Sequence, residues 1–291
     1  MAADLARSVF GTSFRNPILL AAGTAGFGRE LDGIVDLDRV GGIVSKAVSL
    51  EPRAGNPPPR VAEFAGGMLN SVGLANPGLA HVREHELPWL ARRLGATRLI
   101  VNVVGFALDE YAAVIAGLSG LDVITAFEIN LSCPNTHAGG MEFGADSASA
   151  FRVVASCRAA TSLPLIAKLS PALPDIAGMA LAARDAGADG ITVVNTIPGF
   201  LRARDGRGPA RLGQGNGGVS GPALLPIGVL ATARVVERTG LPVIGVGGVR
   251  SAADVRQYLS AGASLVAIGT AALADPRLPE RVVTDLEREG G

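Results

Sequence analysis

Short apolar, β-branched runs recur along the chain at residues 18–23, 42–48, 99–105, 127–133, 164–170, 190–196, 242–248 and 265–270. Each is close to continuously apolar, the pattern of a strand covered on both faces. Amphipathic stretches with helical spacing follow them, near 30–39, 79–94, 109–118, 147–160, 175–186, 222–239, 251–261 and 277–288. Eight strand-then-helix units in about 250 residues predict an α/β fold of the (β/α)8 TIM barrel type. A doubly wound sheet is the competing architecture. No Ser-, Pro- or charge-rich linker divides the chain, so residues 1–291 are read as one domain.

Two connections are too long for simple strand-to-helix loops. One spans 49–78 and contains Asn56-Pro57-Pro58-Pro59-Arg60; the other spans 197–221 and is rich in Gly and Arg. A third, 134–146, follows the fourth strand and is a candidate lid. All three leave the C-terminal ends of strands, where barrel enzymes assemble their sites, and loops of this length are usually functional or disordered.

Five consecutive strands carry a polar residue near that end: Lys46, Asn102, Asn130, Lys168 and Asn195. Two positions earlier stand Val44, Ile100, Ile166 and Val193, with Glu128 the exception. Period-two alternation therefore turns most of the five toward the core face. A buried amide or ammonium without partners costs about 1–3 kcal/mol or more. One such residue can be a satisfied core group; five on successive strands at one end are expected to ring a flat, heteroatom-rich ligand, with the two lysines favouring an anionic one.

The last two units add a second signal. The seventh strand ends in Gly247-Gly248, Ser251-Ala252-Ala253-Asp254 reads as a capping box, and the eighth strand ends Gly269-Thr270. Paired glycines can be mere tight turns, but loops seven and eight of this fold commonly hold a phosphate. Gly23-Thr24-Ala25-Gly26-Phe27-Gly28 does not have the dinucleotide spacing, and the second strand ends in Lys46 instead of the acidic residue a ribose requires.

Charge sharpens the two lysines. Basic and acidic residues number 26 each, for a net charge of zero, which argues against a nucleic-acid partner. Of the 26 basic residues only Lys46 and Lys168 are lysine. No apolar run reaches the roughly 18 residues of a membrane span, and the N-terminus lacks signal-peptide character, so a cytoplasmic protein is expected. His81 and His85 share a helical face without a third ligand nearby in sequence, so no metal is expected. Of the two cysteines, Cys157 lies in a helical stretch and reads as a small core hydrophobe. Cys133 lies in Ser132-Cys133-Pro134-Asn135 at the catalytic face. With neither a Cys-His-Asn arrangement nor a G-x-S-x-G elbow, a thiolate acid or base beside a cofactor fits it best.

Jointly, and in order along nearly the whole chain, five motifs resemble dihydroorotate dehydrogenase: 46–53 (Lys46 to Arg53), 67–78 (Gly67 to Gly78), 130–135 (Asn130 to Asn135), 217–222 (Gly217 to Pro222) and 245–248 (Gly245 to Gly248). The resemblance implies an FMN-dependent barrel, one FMN per chain, that oxidises dihydroorotate to orotate in pyrimidine synthesis. Cys at 133 instead of Ser, without an N-terminal membrane helix, is similar to the soluble class 1. The 67–74 motif, with Gly139-Gly140 and Phe143-Gly144, is similar to subclass 1B. That subclass implies a partner subunit bearing FAD and a 2Fe-2S cluster that passes electrons to NAD, giving a heterotetramer around a homodimer. A fumarate-using class 1A enzyme, a dihydropyrimidine dehydrogenase domain and a tRNA dihydrouridine synthase are the alternatives; the last requires a basic surface that this chain lacks.

Carried over residue by residue, the resemblance implies Cys133 as the base for the C5 proton. Lys46, Asn70, Ser71, Val72, Gly73, Leu74, Asn130, Asn135, Asn195 and Thr196 would bind the substrate. Ala22, Gly23, Lys46, Ala47, Asn102, Asn130, Lys168, Val194 and Gly221 would hold the flavin ring and ribityl chain, and Gly247, Gly248, Gly269 and Thr270 the phosphate. Ala22 stands where subclass members often have Ser, implying backbone contacts there.

Overall fold

The apolar runs fold into parallel strands, and the computed structural model describes residues 4–131, 146–203 and 206–289. The chain opens with a hairpin of β1 (Arg7–Val9) and β2 (Thr12–Phe14). Its two-residue turn, Phe10-Gly11, has φ of 55° and 69°, the positive pair that matches strand twist. Next come β3 (Ile18–Leu20), β4 (Gly42–Val44), β5 (Val61–Phe64) and β6 (Gly67–Asn70). A helical run follows as α1 (Gly78–His81), a π turn at Val82–Glu86, and α2 (Leu87–Arg93). Then alternate β7 (Arg98–Val103), α3 (Leu108–Leu118), β8 (Ile124–Asn130), α4 (Ser147–Ala160), β9 (Leu165–Leu169), α5 (Ile176–Asp185) and β10 (Gly190–Val193). The remainder is β11 (Ile197–Phe200), β12 (Asn216–Ser220), α6 (Leu225–Thr239), β13 (Val243–Val246), α7 (Ala252–Ser260), β14 (Leu265–Ile268), α8 (Thr270–Ala274) and α9 (Leu278–Glu289).

Eight of these strands, β3, β4, β7, β8, β9, β10, β13 and β14, close into one parallel barrel, and each pairs with the next in that order. Alternation sorts the side chains. Leu19, Val44, Ile100, Ala126, Ile166 and Ile244 pack together inside. Val101, Ile129, Ala167 and Val193 pack outward against helix residues such as Val153, Ala180 and Val235. The hairpin stops the N-terminal end: Val9 and Phe14 join the interior cluster, and the Phe10 ring lies against Gly190, the first residue of β10.

The two long connections are ordered, not structureless. Each contributes two strands to one antiparallel sheet of order β11-β12-β6-β5, with Asn70 opposite Gly218. Ala62, Leu69 and Leu212 form its own small core. The 30–39 stretch is not an α-helix. It forms two single 3-10 turns, Arg29–Leu31 and Leu37–Arg39, because Gly28 and Gly33 take left-handed backbone (φ 90° and 75°) and the Asp36 side chain caps the second turn by accepting from Asp38 N. Half of the capping box at α7 forms as expected, Asp254 N donating to Ser251 Oγ at 3.3 Å; the reciprocal bond shifts one residue earlier, Asp254 Oδ2 accepting from Arg250 N at 2.9 Å. Among the described residues no helix is long and apolar enough to cross a membrane.

Candidate active site at the open end of the barrel

The C-terminal half of the barrel interior is polar. Asn102 on β7, Glu128 and Asn130 on β8, Lys168 on β9 and Thr192 on β10 point inward from adjacent strands, in registers Asn102↔Glu128, Asn130↔Lys168 and Lys168↔Thr192. Glu128 is their hub. Asn102 Nδ2 donates to Glu128 Oε1 at 2.6 Å, Lys168 Nζ approaches the same oxygen at 3.4 Å, and Thr192 Oγ1 donates to Oε2 at 2.8 Å. The carboxylate is 1% exposed, and three donors from three other strands offset its burial. One buried atom of this group is left over: Asn102 Oδ1 has no hydrogen-bond partner among the described residues.

Two of the expected ring residues lie just beyond strand ends. Lys46 follows β4 and is half-buried, its backbone N bonded to Gly26 O at 2.8 Å. Asn195 follows β10, and the peptide between Val193 and Val194 is cis. The expectation that Asn195 shares a face with Val193 fails, since Val193 packs outward and the strand ends there. Asn195 nevertheless reaches the interior set: its N bonds Leu169 O at 2.9 Å and its Nδ2 lies 3.5 Å from Asn130 Oδ1. Its own Oδ1 accepts from Thr196 N at 2.8 Å.

The turn after β6 begins beside the segment that follows β10: Asn70 pairs with Gly218, where an added Cβ would meet Thr196. Asn70 Nδ2 donates to Gly218 O at 3.2 Å. Ser71, Val72, Gly73 and Leu74 are half-buried, with positive φ at Gly73 (73°) and Leu74 (56°). Two amides outside the expected set fix this turn. Asn56 N bonds Val72 O at 3.1 Å, and Asn56 Nδ2 bonds Ser71 Oγ at 2.8 Å. Asn76 Nδ2 donates to Leu74 O and to Ser49 Oγ at 2.8 Å each, while Asn76 Oδ1 accepts from Ser49 N and Gly78 N. Asn76 is thereby a clasp between the segments leaving β4 and β6. Its place in the 67–78 motif was visible, but its role was not.

The phosphate candidates also converge. A Cβ on Gly247 would meet Leu224 and Val194; one on Gly248 would stand 2.5 Å from Leu225 N, so close approach of the α6 start requires glycine there. Thr270 Oγ1 donates to Ser220 Oγ at 2.7 Å, beside Gly221, which is buried. A Cβ on Gly269 would find only Ala21 and Thr24 at 3.6 and 3.8 Å, and one on the exposed Gly23 nothing within 4 Å. Space is thus open at Gly23 and Gly269, while Val194 is buried beside Gly247 and Ala47 is buried after β4.

Cys133 and Asn135, the Gly139-Gly140 pair and Phe143-Gly144 lie outside the described residues. Cys157 is fully buried, and burial pushes its thiol up to about 12, which keeps it a neutral packing group. The His81 and His85 rings stand 4.6 Å apart and His81 Nε2 lies 3.3 Å from Glu86 Oε1. Among the described residues no cluster of three or more His, Cys, Asp or Glu is placed to hold a metal.

The sequence matches the dihydroorotate dehydrogenase family over residues 4–289. It is 43% identical over 282 residues to the dihydroorotate dehydrogenase B (NAD(+)) catalytic subunit of Listeria welshimeri, covering 97% of this chain and 92% of that one. It is 44% identical over 288 residues to the protein of the same name from Desulforudis audaxviator, covering 99% and 93%. In fold it is similar to the Eimeria tenella dihydroorotate dehydrogenase solved with ferulenol, at TM-score 0.79 and 22% identity, covering 97% of this chain and 83% of that one. A closed barrel with a polar interior at one end, matched over nearly its whole length at this identity, places the chain in the dihydroorotate dehydrogenase family.

Proposed function

We propose that this chain is the catalytic subunit of an NAD-linked dihydroorotate dehydrogenase, oxidising (S)-dihydroorotate to orotate in pyrimidine synthesis with FMN as its cofactor. The observation that carries the cofactor is the unpartnered, fully buried Asn102 Oδ1 beside Lys168. An acceptor and an ammonium turned into one polar interior suit a ring that has both an N–H donor and carbonyl acceptors, and the open space at Gly23 and Gly269 suits a ligand reaching toward the loops after β13 and β14. FMN, when bound, supplies the acceptor for the hydride lost from the substrate.

The chain's own residues do the rest. Asn102, Asn130, Lys168, Val194, Gly221 and the backbone of Ala22, Gly23 and Ala47 hold the ring and ribityl chain. Gly247, Gly248, Gly269 and Thr270 take the phosphate. Lys168 would supply positive charge to favour a reduced, anionic ring when FMN is bound. Lys46, half-buried just past β4, would reach both flavin and substrate. Asn70 to Leu74, Asn130, Asn135, Asn195 and Thr196 orient the carboxylate and imide edges. Cys133 takes the proton from C5 as the hydride leaves C6, which leaves the C5–C6 double bond of orotate.

The test is anaerobic. The purified chain should be yellow, hold one FMN, and lose its flavin colour on addition of dihydroorotate. An FMN-loaded protein that stays oxidised at saturating dihydroorotate would overturn the substrate assignment. The electron acceptor is tested separately: NAD reduction should require a partner subunit bearing FAD and a 2Fe-2S cluster, assembled with two copies of this chain. Rapid turnover of the isolated chain with fumarate would overturn the NAD linkage.

A further inference from the structure

We infer that Glu128 is a positioning residue for the flavin: it fixes the amide of Asn102 with its oxygen toward the cofactor and offsets part of the charge of Lys168. The inference rests on the FMN reading above. It begins with a carboxylate that the proposed chemistry does not use, buried inside the barrel and approached by three donors.

The amide orientation follows from acceptor chemistry. An ionised carboxylate only accepts hydrogen bonds. Glu128 Oε1 lies 2.6 Å from the Asn102 side-chain nitrogen. Turning that amide over would set two acceptor oxygens in contact, so the NH2 must face Glu128. Asn102 Oδ1 is then committed to the other side, where it has no partner among the described residues. Glu128 thus makes Asn102 a fixed acceptor for a ligand donor, although Glu128 itself need not touch the ligand.

Charge follows from the same geometry. Lys168 Nζ lies 3.4 Å from Glu128 Oε1, with Lys168 9% and Glu128 1% exposed at the side chain. At this burial salt and water screen the pair weakly. The negative charge of Glu128 therefore subtracts from the field that Lys168 would present to a bound ring. Thr192 Oγ1, at 2.8 Å from Oε2, keeps the carboxylate in place from the third strand. A reduced flavin is anionic, so the hub sets how far Lys168 favours reduction.

The experiment measures the FMN midpoint potential of the full chain by anaerobic titration, in native protein and Glu128→Gln, with FMN content and melting temperature recorded. The glutamine keeps the shape and one acceptor oxygen, which can still serve Asn102 and Lys168, presents an NH2 in place of the oxygen facing Thr192, and removes the negative charge. Reduced FMN should gain at least tenfold in relative affinity, a positive shift of about 30 mV or more for a two-electron couple. A purely structural role would change melting temperature without moving the potential. An unchanged potential in a fully FMN-loaded variant would overturn the inference, whereas native protein that binds no FMN would overturn the cofactor reading instead. If the glutamine variant fails to fold or to retain FMN, Glu128→Asp decides. FMN bound at the native potential supports a requirement for the charge; loss of FMN from that variant too, at native melting temperature, assigns the requirement to side-chain length and overturns the inference.

Discussion

The Tyr258 hydroxyl donates to the Gly247 carbonyl at 2.7 Å, so a residue of α7 holds the turn after β13 from beneath. Its ring fills a slot that only glycines leave: a Cβ on Gly245 would stand 2.3 Å from Tyr258 Cδ1, and one on Gly228 would stand 2.0 Å from the hydroxyl. Burial, with Asp254 adding to it, raises the phenol above its ordinary range. The hydroxyl therefore stays a donor across the working pH range.

Tyr258→Phe keeps the ring and deletes that one bond. Stability should fall by about 1 kcal/mol in urea unfolding, and FMN should dissociate several-fold faster as the Gly247 turn loosens. Native stability and FMN retention in this variant would release Tyr258 from supporting the turn.

Cys133→Ser replaces the proposed base with a hydroxyl that is far harder to ionise. Flavin reduction by dihydroorotate should slow by about a hundredfold or more in stopped flow, with FMN content unchanged. A native rate would remove Cys133 from proton transfer.

Asn76 makes four hydrogen bonds across two loops while only 6% exposed. Asn76→Ala should cost about 2 kcal/mol or more. It should also raise KM for dihydroorotate, because the turn at Ser71 to Leu74 loses its clasp. A stability loss with unaltered KM would confine Asn76 to packing.

Asp146 caps α4, accepting from Ser149 N and Oγ at 2.8 Å each. The backbone bond from Ser149, first among the causes, holds its carboxyl below the ordinary carboxylate value. A lowered folded value gives stability that is present above the unfolded value and lost as pH falls through the folded one. Asp146→Asn retains a good cap without the charge. Between pH 5 and about 2 the native protein should therefore lose more melting temperature than the variant; parallel curves would contradict the assignment.

Much of the site is written in alternation. Val44, Ile100 and Ile166 point inward as period two requires, and the same parity carries Asn102 and Lys168, whereas Lys46 lies two residues past the end of β4. Glu128 stood in that pattern only as an interruption. A buried carboxylate is made tolerable by donors on other strands, and no single strand displays its neighbours. The sheet of β11, β12, β6 and β5 was illegible for a related reason. Its strands are four or five residues long, several of those residues are glycine, and the bond from Asn70 to Gly218 joins positions 148 residues apart. At 30–39 helical spacing was present, but spacing does not register that Gly28 and Gly33 leave the helical region of backbone space.

The β1–β2 hairpin has a consequence for traffic. With Val9, Phe10 and Phe14 stoppering one end of the cylinder, the described residues leave exchange with the interior to the opposite end, where the strands' C-terminal ends lead into the loops. If the proposed electron-transfer subunit approaches from that end, it would have to dock beside the opening and leave it uncovered, so that substrate and product could pass while the two proteins stay joined.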